Sequence, residues 1–192
     1  MANQLDFQLL SLGMRRIGWI RFWIQTALGV ISAGILLFYN VGGNVGKGSL
    51  KAAGLSSGLS ITTISFFILL YSLWQGWLIV QKGRALNSPV KPTRGETSRL
   101  LKRGVIGDLL GLVFAVVGYQ ALAGALTVQA ASQVSGFFGA GMINSASSNV
   151  MPTFPITSIE MLSVLSNTQL MMAHLIGLII SLWLLQRIYR AT

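Results

Sequence analysis

The chain has 192 residues, of which 53% are apolar and only 9% are charged, whereas about 25% are charged in ordinary globular domains. Its 14 basic and four acidic residues give a net charge of +10 and stand in short clusters between long uncharged runs, which is typical of membrane proteins. The lack of cysteine excludes disulfides, thiolate metal sites and cysteine catalysis. We expect a lipid bilayer as partner, no nucleic acid and no enzymatic activity.

Four charge-free runs each exceed the roughly 18 residues that a membrane-spanning helix needs. They predict spans at about 22–39, 59–80, 105–128 and 161–185. The spans must be helices, because an unpaired backbone group that faces lipid costs several kcal/mol. We therefore predict an all-α integral membrane protein whose residues 22–192 form one domain of four transmembrane helices.

The first 21 residues fit two structures. Their leucines and one arginine recur at helical spacing, at Leu5, Leu9, Leu12 and Arg16. This pattern favours an amphipathic segment over residues 1–21 that lies on the membrane surface, and it also fits a helical extension of the first span. The stretch lacks the apolar core and cleavage site of a signal peptide, so we expect it to be retained.

Lysine and arginine near the span ends predict the orientation in the membrane. Twelve of the 14 basic residues flank the start of the first span, lie in the connection 81–104 or follow the last span. Only Lys47 and Lys51 fall on the opposite side. Because loops rich in basic residues stay in the cytoplasm, both termini are predicted to face the cytoplasm or its organellar equivalent.

The connection between the third and fourth predicted spans, residues 129–160, contains no basic residue and is rich in Gly, Ser, Ala and Asn. It is too polar to span a membrane. Its more apolar part, residues 134–143, suits a re-entrant turn against the end of the bundle. A flexible exposed loop fits the sequence equally well.

Small residues follow one face of the third span, at Gly107, Gly111, Ala115, Gly118, Ala121 and Ala125. At about 100° per residue they fall within about 120° of arc. Such a face permits close approach of another helix. We predict that Gly107, Gly111 and Gly118 pack against a second helix, which belongs either to this chain or to another copy.

A polar stripe follows the fourth span, with its members within about 40° of one line down the helix. They are Glu160, Ser163, Asn167, His174 and Ser181. His174 lies near the middle of the span, where an ionisable side chain normally faces a bundle interior or a wet cavity. Shorter counterparts are Gln25, Ser32 and Tyr39 in the first span, with Tyr119 and Gln120 in the third.

Two roles compete for this stripe. As structure, its side chains make interhelical hydrogen bonds worth about 0.6 kcal/mol each. As function, a candidate path for a cation or proton consists of His174, Asn167, Ser163, Glu160 and Gln120, with Glu160 at its mouth. His174 is the leading candidate metal ligand, but one histidine per chain makes a poor metal cage unless several copies form a ring.

Asp108 and Glu160 each stand at a predicted helix start. An acidic side chain there is stabilised by the helix dipole. Asp108 also lies within reach of Lys102 or Arg103 in sequence. These observations favour a structural role for Asp108.

Several short stretches, which follow one another in the same order along the chain, resemble the "permease in chloroplasts" family of four-span membrane proteins, whose members are plant and cyanobacterial. The similar positions run from Phe22 to Ile188 and include Ser88-Pro89, Leu110-Gly111, Gly118-x-Gln120-Ala121 and His174-x-x-Gly177-Leu178-x-x-Ser181-Leu182. Plant members begin with a transit peptide, so this chain resembles a cyanobacterial-type member or a processed form.

The resemblance implies two different functions. Plant members have been assigned to iron uptake across the chloroplast inner envelope and to protein translocation there. We therefore expect iron or another cation as a transported substrate, with no cofactor. The alternative is a non-transporting accessory, assembly or translocation subunit. We also expect a homo-oligomer or a subunit of a larger membrane complex, and the resemblance implies a cyanobacterial plasma or thylakoid membrane, or a plastid inner envelope.

Overall fold

A computed structural model describes residues 2–45, 55–85, 93–140 and 158–190. These residues form four α-helices, α1 (Ala2–Val45), α2 (Leu55–Ala85), α3 (Arg94–Ala140) and α4 (Ser158–Arg190). Each helix contains a segment of 28 to 34 residues that is long and apolar enough to cross a membrane. The chain is therefore an all-α integral membrane protein, as its sequence predicts.

The helices form a bundle in which α2 packs against α1 and α3, and α4 packs against α3 and α1. One apolar cluster joins Met14, Ile79, Leu101, Leu184 and Ile188. The starts of α1 and α3 therefore lie beside the ends of α2 and α4. We call this end of the bundle the basic end, because its exposed side chains include Arg15, Arg16, Arg84, Arg99, Lys102, Arg103 and Arg187.

The antiparallel order places the start of α1 and the end of α4 at the basic end. A second apolar cluster of Leu36, Leu59 and Leu122 closes the opposite end. The two described ends of the chain thus lie on one side of the bundle. That this side is cytoplasmic stays a prediction, and Lys47 and Lys51 lie outside the described residues.

All four helices extend beyond the predicted spans, because a helix continues past the hydrocarbon once its backbone is paired internally. In α3 the start is set by Thr93, whose hydroxyl oxygen accepts a hydrogen bond from the Glu96 backbone N–H at 3.3 Å, as a helix N-cap does. At its other end α3 continues through residue 140. The first third of the predicted 129–160 connection is therefore helical, while residues 141–157 lie outside the described part.

The first span begins earlier than the predicted residue 22. Helix α1 continues without a break through residue 21, and Ser11, Met14 and Arg21 are buried in the bundle. The prediction started the span directly after Arg21, because it took this charge to lie at the membrane surface. In the structure the Arg21 side chain points into the protein interior. Of the two structures considered for the N-terminal segment, residues 11–21 adopt the helical extension of the first span.

The distribution of polarity is the reverse of that in a soluble protein. The largest fully buried side chains include Arg21, Gln25, Asn167 and His174. Large apolar side chains such as Val30, Leu37 and Val128 face outward instead. Lipid is as apolar as these side chains, so the outward face needs no water and the polar groups pair inside.

The five tryptophans mark a level of the bundle near the basic end. Trp19 and Trp23 lie in the first half of α1, Trp74 and Trp77 near the end of α2, and Trp183 near the end of α4. Tryptophan is enriched at membrane–water interfaces, where the ring meets the lipid headgroups. These residues and the neighbouring exposed basic residues place the membrane surface at the basic end.

A buried charged cluster and polar seam

Polar side chains from all four helices meet along the axis of the bundle. We call this set the polar seam, and its buried members are Arg21, Gln25, Ser32, Thr62, Ser65, Ser72, Asp108, Ser163, Ser166, Asn167, His174 and Ser181. On α1 and α2 they recur at spacings of three, four or seven residues, and on α4 Ser163, Asn167, His174 and Ser181 do the same, with Ser166 beside Asn167. A helix with such spacing carries its polar groups on one face, so these three faces and Asp108 of α3 combine in the interior.

The seam contains a buried ion pair between α1 and α3. The Arg21 Nη2 atom lies 2.9 Å from Asp108 Oδ2, and both side chains are 0% exposed. Arginine and aspartate at this distance form a charge-assisted hydrogen bond. A charge buried in an apolar medium is tolerated only with a partner, and here each charge provides the other's partner.

Neutral side chains form the remaining hydrogen bonds of this ion pair. Ser72 donates to Asp108 Oδ1 at 2.5 Å, and Gln25 Nε2 donates to the same oxygen at 3.3 Å. Arg21 Nη1 donates to the Ser181 hydroxyl at 2.7 Å. Asp108 is thus held by donors from α1 and α2, while Arg21 also reaches α4.

His174 stands beside this pair on α4. Its Nε2 atom lies 3.2 Å from the Ser65 backbone carbonyl oxygen. Its Nδ1 atom lies 3.5 Å from Asp108 Oδ1 and makes no hydrogen bond. This separation is short enough for an ion pair if the imidazole is protonated. It is longer than the 2.7–3.2 Å that is usual for an N–H···O hydrogen bond. We call Arg21, Asp108 and His174 the charged cluster.

Two glycines make room for the charged cluster. A Cβ atom on Gly111 would overlap the ring of His174, and one on Gly177 would overlap the amide of Gln25. The same Gly177 Cβ would also lie 2.6 Å from Asp108 Oδ2. At these two positions glycine is required by the close approach of side chains from other helices.

Further from the basic end, the seam continues through neutral groups. Asn167 donates to the Ala115 carbonyl oxygen at 2.7 Å and accepts from the Thr62 hydroxyl at 3.1 Å. The Ser32 hydroxyl donates to the Ser166 carbonyl oxygen at 3.0 Å. Each of these bonds joins different helices, so this part of the seam holds the bundle together.

The predicted path residues do not all meet. Glu160, Ser163, Asn167 and His174 are all buried along α4, and Ser163 donates to the Glu160 carbonyl oxygen at 2.6 Å. Glu160 stands in the first turn of α4, where the helix dipole stabilises an anion. Gln120 is exposed on the outside of α3, because it lies about 200° around the helix from the buried Gly118. In this structure Gln120 therefore lies outside the polar seam, and a transport path through the other four residues stays a prediction.

The three predicted packing glycines face other helices of the same chain. A Cβ atom on Gly107 would lie 3.2 Å from the ring of Tyr71, and one on Gly118 would lie 3.0 Å from the Thr62 hydroxyl. Gly111 faces His174. The partner of this small-residue face is therefore α2 and α4, and no second copy is needed to cover these three positions.

Sequence reasoning misplaced the charges of the cluster. It treated Arg21 as a topogenic surface charge and Asp108 as a helix-start residue near Lys102 or Arg103. Helix α3 begins at Arg94, almost four turns before Asp108, so the dipole argument does not apply. Lys102 and Arg103 are both exposed, and the actual partner is Arg21.

The sequence contains one further indication of the seam, on the second span, that the prediction missed. Thr62, Ser65 and Ser72 stand three and seven residues apart in the second span, which puts three hydroxyls on one helical face. Tyr39, predicted as part of the stripe in the first span, lies in α1 but its side chain is outside the described part. The partners of Arg21 on other helices, Ser72, Asp108 and Ser181, had no comparable signal, because they are 51 to 160 residues away in sequence.

The metal-binding prediction for His174 finds little support in the donor set. Among the residues that the structure describes, no three His, Cys, Asp or Glu side chains stand together as a metal site. His174 and Asp108 are the two potential metal ligands in the cluster, and Asp108 already forms an ion pair with Arg21. A ring of His174 from several copies is also excluded in this conformation, because His174 is enclosed by its own bundle.

A family model described as "Protein of unknown function (DUF3611)" matches residues 4–189. The chain belongs to this family. It is also 28% identical over 177 residues to "Protein TIC 21, chloroplastic" from Arabidopsis thaliana. The alignment covers 91% of this chain and 56% of that protein, so the chain spans little more than half of the relative's length. Solved structures give no match.

These comparisons confirm the resemblance to the permease-in-chloroplasts family. The family match includes all four membrane-spanning segments, from Ser11 to Tyr189. The charged cluster and the polar seam therefore lie in the part of the chain that defines the family.

Proposed function

We propose that this protein transports a small cation across its membrane, with iron as the candidate substrate. The observation that supports this function most is the charged cluster inside a membrane-spanning bundle. Ionisable side chains within a membrane are costly, and where they face a bundle interior they usually line ion or substrate pathways. A purely structural bundle needs neither a buried arginine nor a buried aspartate.

The polar seam provides the chemistry for such a path. Carbonyl oxygens, hydroxyls and the carboxylate of Asp108 are the hard oxygen donors that replace a cation's water shell. The side chains of the seam lie within hydrogen-bonding distance of one another, so this conformation is closed. A cation then passes only when helices separate and Asp108 exchanges Arg21 for the cargo.

Iron follows from the family resemblance. Because the described residues hold no three-donor site, we propose that the cargo is bound transiently, by Asp108 with neutral oxygens, and that the protein has no resident metal. A plastid inner envelope or a cyanobacterial membrane is the proposed location, on the basis of the resemblance and of the relative's printed name.

Uptake of ferrous iron into proteoliposomes that contain only this protein tests the proposal. We expect uptake by the parent and a fall to the level of protein-free vesicles for His174→Leu, because a desolvated cation then meets hydrocarbon inside the seam. Gln120→Leu is the matched control, since Gln120 lies outside the seam on α3. It should leave uptake unchanged.

Gel filtration in mild detergent checks that each variant is folded. Absence of uptake by a folded, correctly oriented parent would remove the transport function. Full uptake by His174→Leu would remove the seam as its path.

A second function, as a subunit of a larger membrane complex, has one observation in its favour. Gln120 projects outward from α3, two residues before Leu122 of the apolar cluster at the end opposite the basic end, and an exposed amide on a membrane-spanning helix can form a hydrogen bond with a second helix. Gly124, one turn further along, has open space around it. A helix from another protein or a second copy would cover both residues. Loss of co-purifying subunits in Gln120→Leu, with uptake unchanged, would support this role beside transport.

A further inference from the structure

A groove opens on the outer surface of the bundle between α1 and α2. Its volume is about 360 Å³, and it is lined by Phe22 of α1 with Leu73, Trp74 and Trp77 of α2. Trp74 and Trp77 are 54% and 47% exposed, so the groove opens towards the lipid. Its lining side chains are apolar or aromatic, which suits a hydrocarbon chain.

The wall of the groove on α1 is held in place by aromatic contacts. The Phe22 ring packs edge-on against Trp19, with centroids 5.6 Å apart, and against Trp23, with centroids 6.0 Å apart. Such edge-to-face pairs stabilise the position of the rings. Because tryptophan is enriched where the hydrocarbon meets the headgroups, these contacts place the groove at the level of the first part of the acyl chains.

Two arginines stand between the groove and the membrane surface. Arg15 precedes Phe22 by seven residues on α1, and Arg84 follows Trp77 by seven residues on α2. Seven residues make about two helical turns, so each arginine shares a face with its aromatic residue and lies about 10 Å further along the helix axis. Helix α1 starts at the basic end and α2 ends there, so both arginines lie on the basic side of the groove.

The two arginines are neighbours across the contact between α1 and α2. The Ser11 hydroxyl donates to the Gly83 carbonyl oxygen at 2.8 Å, which joins the two helices here. A Cβ atom on Gly83 would lie 3.3 Å from Arg15 Cγ. The stem of Arg15 therefore lies against α2 beside Arg84, the residue that follows Gly83.

No described carboxylate neutralises these two charges. The ion pairs in the described part of the chain belong to Asp108 and Glu96, and neither acid pairs with Arg15 or Arg84. Both arginine side chains are exposed. A guanidinium group forms strong charge-assisted hydrogen bonds with phosphate, so this pair of charges is complementary to a phosphate at the membrane surface.

We propose that the groove between α1 and α2 binds an anionic phospholipid. The headgroup phosphate accepts hydrogen bonds from Arg15 and Arg84, and one acyl chain lies along the aromatic lining. A headgroup layer is about 5 to 8 Å thick, so the step of about 10 Å from the arginines to the groove leads from the phosphate to the start of the chain. A zwitterionic lipid carries a cationic group that the arginines repel, so the site selects a net negative headgroup.

This lipid site is separate from the polar seam. Phe22 faces outward, whereas the preceding Arg21 is buried in the charged cluster. The site therefore does not depend on the proposed transport function, and it remains if proteoliposomes show no uptake. A lipid bound here joins α1 and α2 from outside the bundle.

Native mass spectrometry of the whole chain in mild detergent measures lipid binding directly. The probes are dioleoyl phosphatidylglycerol and dioleoyl phosphatidylcholine, which have identical acyl chains and differ in headgroup charge. A basic residue near the membrane surface strengthens the attraction to anionic lipid by about fivefold. For its first bound lipid we expect the parent to prefer phosphatidylglycerol by on the order of tenfold.

The headgroup contact is tested by Arg15→Gln/Arg84→Gln. This double variant should reduce the preference for phosphatidylglycerol to less than about twofold. Arg99→Gln/Arg103→Gln is the matched control, because it removes the same charge from exposed positions of α3 at the basic end, which do not line the groove. The control should keep the preference of the parent.

The chain contact is tested by Trp77→Ala, which removes part of the groove's lining. It should weaken the binding of both lipids, since their acyl chains are the same. Trp183→Ala is the matched control, because Trp183 is also partly exposed, at 39%, but lies on α4 away from the groove. It should leave the first bound lipid in place.

The preference of the parent needs no variant, so it tests the site even if a variant fails to fold, which gel filtration detects. Equal binding of the two lipids by the parent would overturn the proposal. So would an undiminished preference in folded Arg15→Gln/Arg84→Gln, or an equal loss in Arg99→Gln/Arg103→Gln, which would assign the preference to the basic end as a whole. A lipid-free dimer that Trp77→Ala dissociates would show that a second copy covers the groove instead.

Discussion

Replacing Arg21 with methionine is expected to destabilise the protein by about 3 to 5 kcal/mol, because Asp108 is then left as an unpaired buried charge. Asp108→Leu leaves Arg21 unpaired and should cost a similar amount. The double variant Arg21→Met/Asp108→Leu buries no charge at this position. It should therefore be clearly more stable than either single variant, since apolar replacement of a whole buried ion pair is often close to neutral.

The measurement is a double-mutant cycle of the free energy of unfolding in mild detergent titrated with a denaturing one. Lys82 and Glu96 form the control pair, because they lie 3.4 Å apart but remain 41% and 59% exposed. Exposed pairs contribute at most about 1 kcal/mol, so neutralising Lys82 or Glu96 should have a small effect. Additive losses at Arg21 and Asp108 would show that the two charges are not paired in the membrane.

The second large effect is expected at Gly177. In Gly177→Ala the new Cβ atom would lie 2.6 Å from Asp108 Oδ2 and would overlap the Gln25 amide. Because these atoms belong to two other helices, the bundle must spread to accept the methyl group. Overpacking a tightly packed interior costs about 1 to 3 kcal/mol, and the loss of hydrogen bonds to Asp108 adds to this.

Gly34→Ala is the matched control, since nothing lies within 4 Å of a Cβ atom at that position. Alanine is favoured over glycine in a helix by about 1 kcal/mol, so Gly34→Ala should be neutral or slightly stabilising. Thermal unfolding followed by circular dichroism compares the two variants. Equal unfolding midpoints for Gly177→Ala and Gly34→Ala would contradict the close packing around Asp108.

The four spans were predictable because the membrane imposes a strong and local rule. A charge-free run of sufficient length must be helical in lipid, and the runs are visible without knowing any contact. The same rule misplaced the start of α1, since it treats every charge as a surface charge. Whether Arg21 faces headgroups or protein depends on Asp108, which lies 87 residues away in sequence.

The candidate site was predictable along single helices and not between them. Helical spacing grouped Ser163, Asn167 and His174 on one face of α4, and all three are buried. Spacing within one helix cannot tell how α3 is rotated about its own axis relative to α4. For this reason Gln120 was assigned to the path from its depth alone, although it faces outward.

The distance between His174 and Asp108 in a lipid bilayer tests the existence of the charged cluster most directly. His174 is the one histidine of the chain, and Asp6 and Asp108 are its two aspartates. In an Asp6→Asn background, ¹⁵N-histidine and ¹³Cγ-aspartate labels therefore give a single pair for solid-state dipolar recoupling. Strong recoupling, as required by the 3.5 Å separation of Nδ1 and Oδ1, is the result we predict. Its absence in folded protein would contradict the charged cluster and the transport function proposed from it.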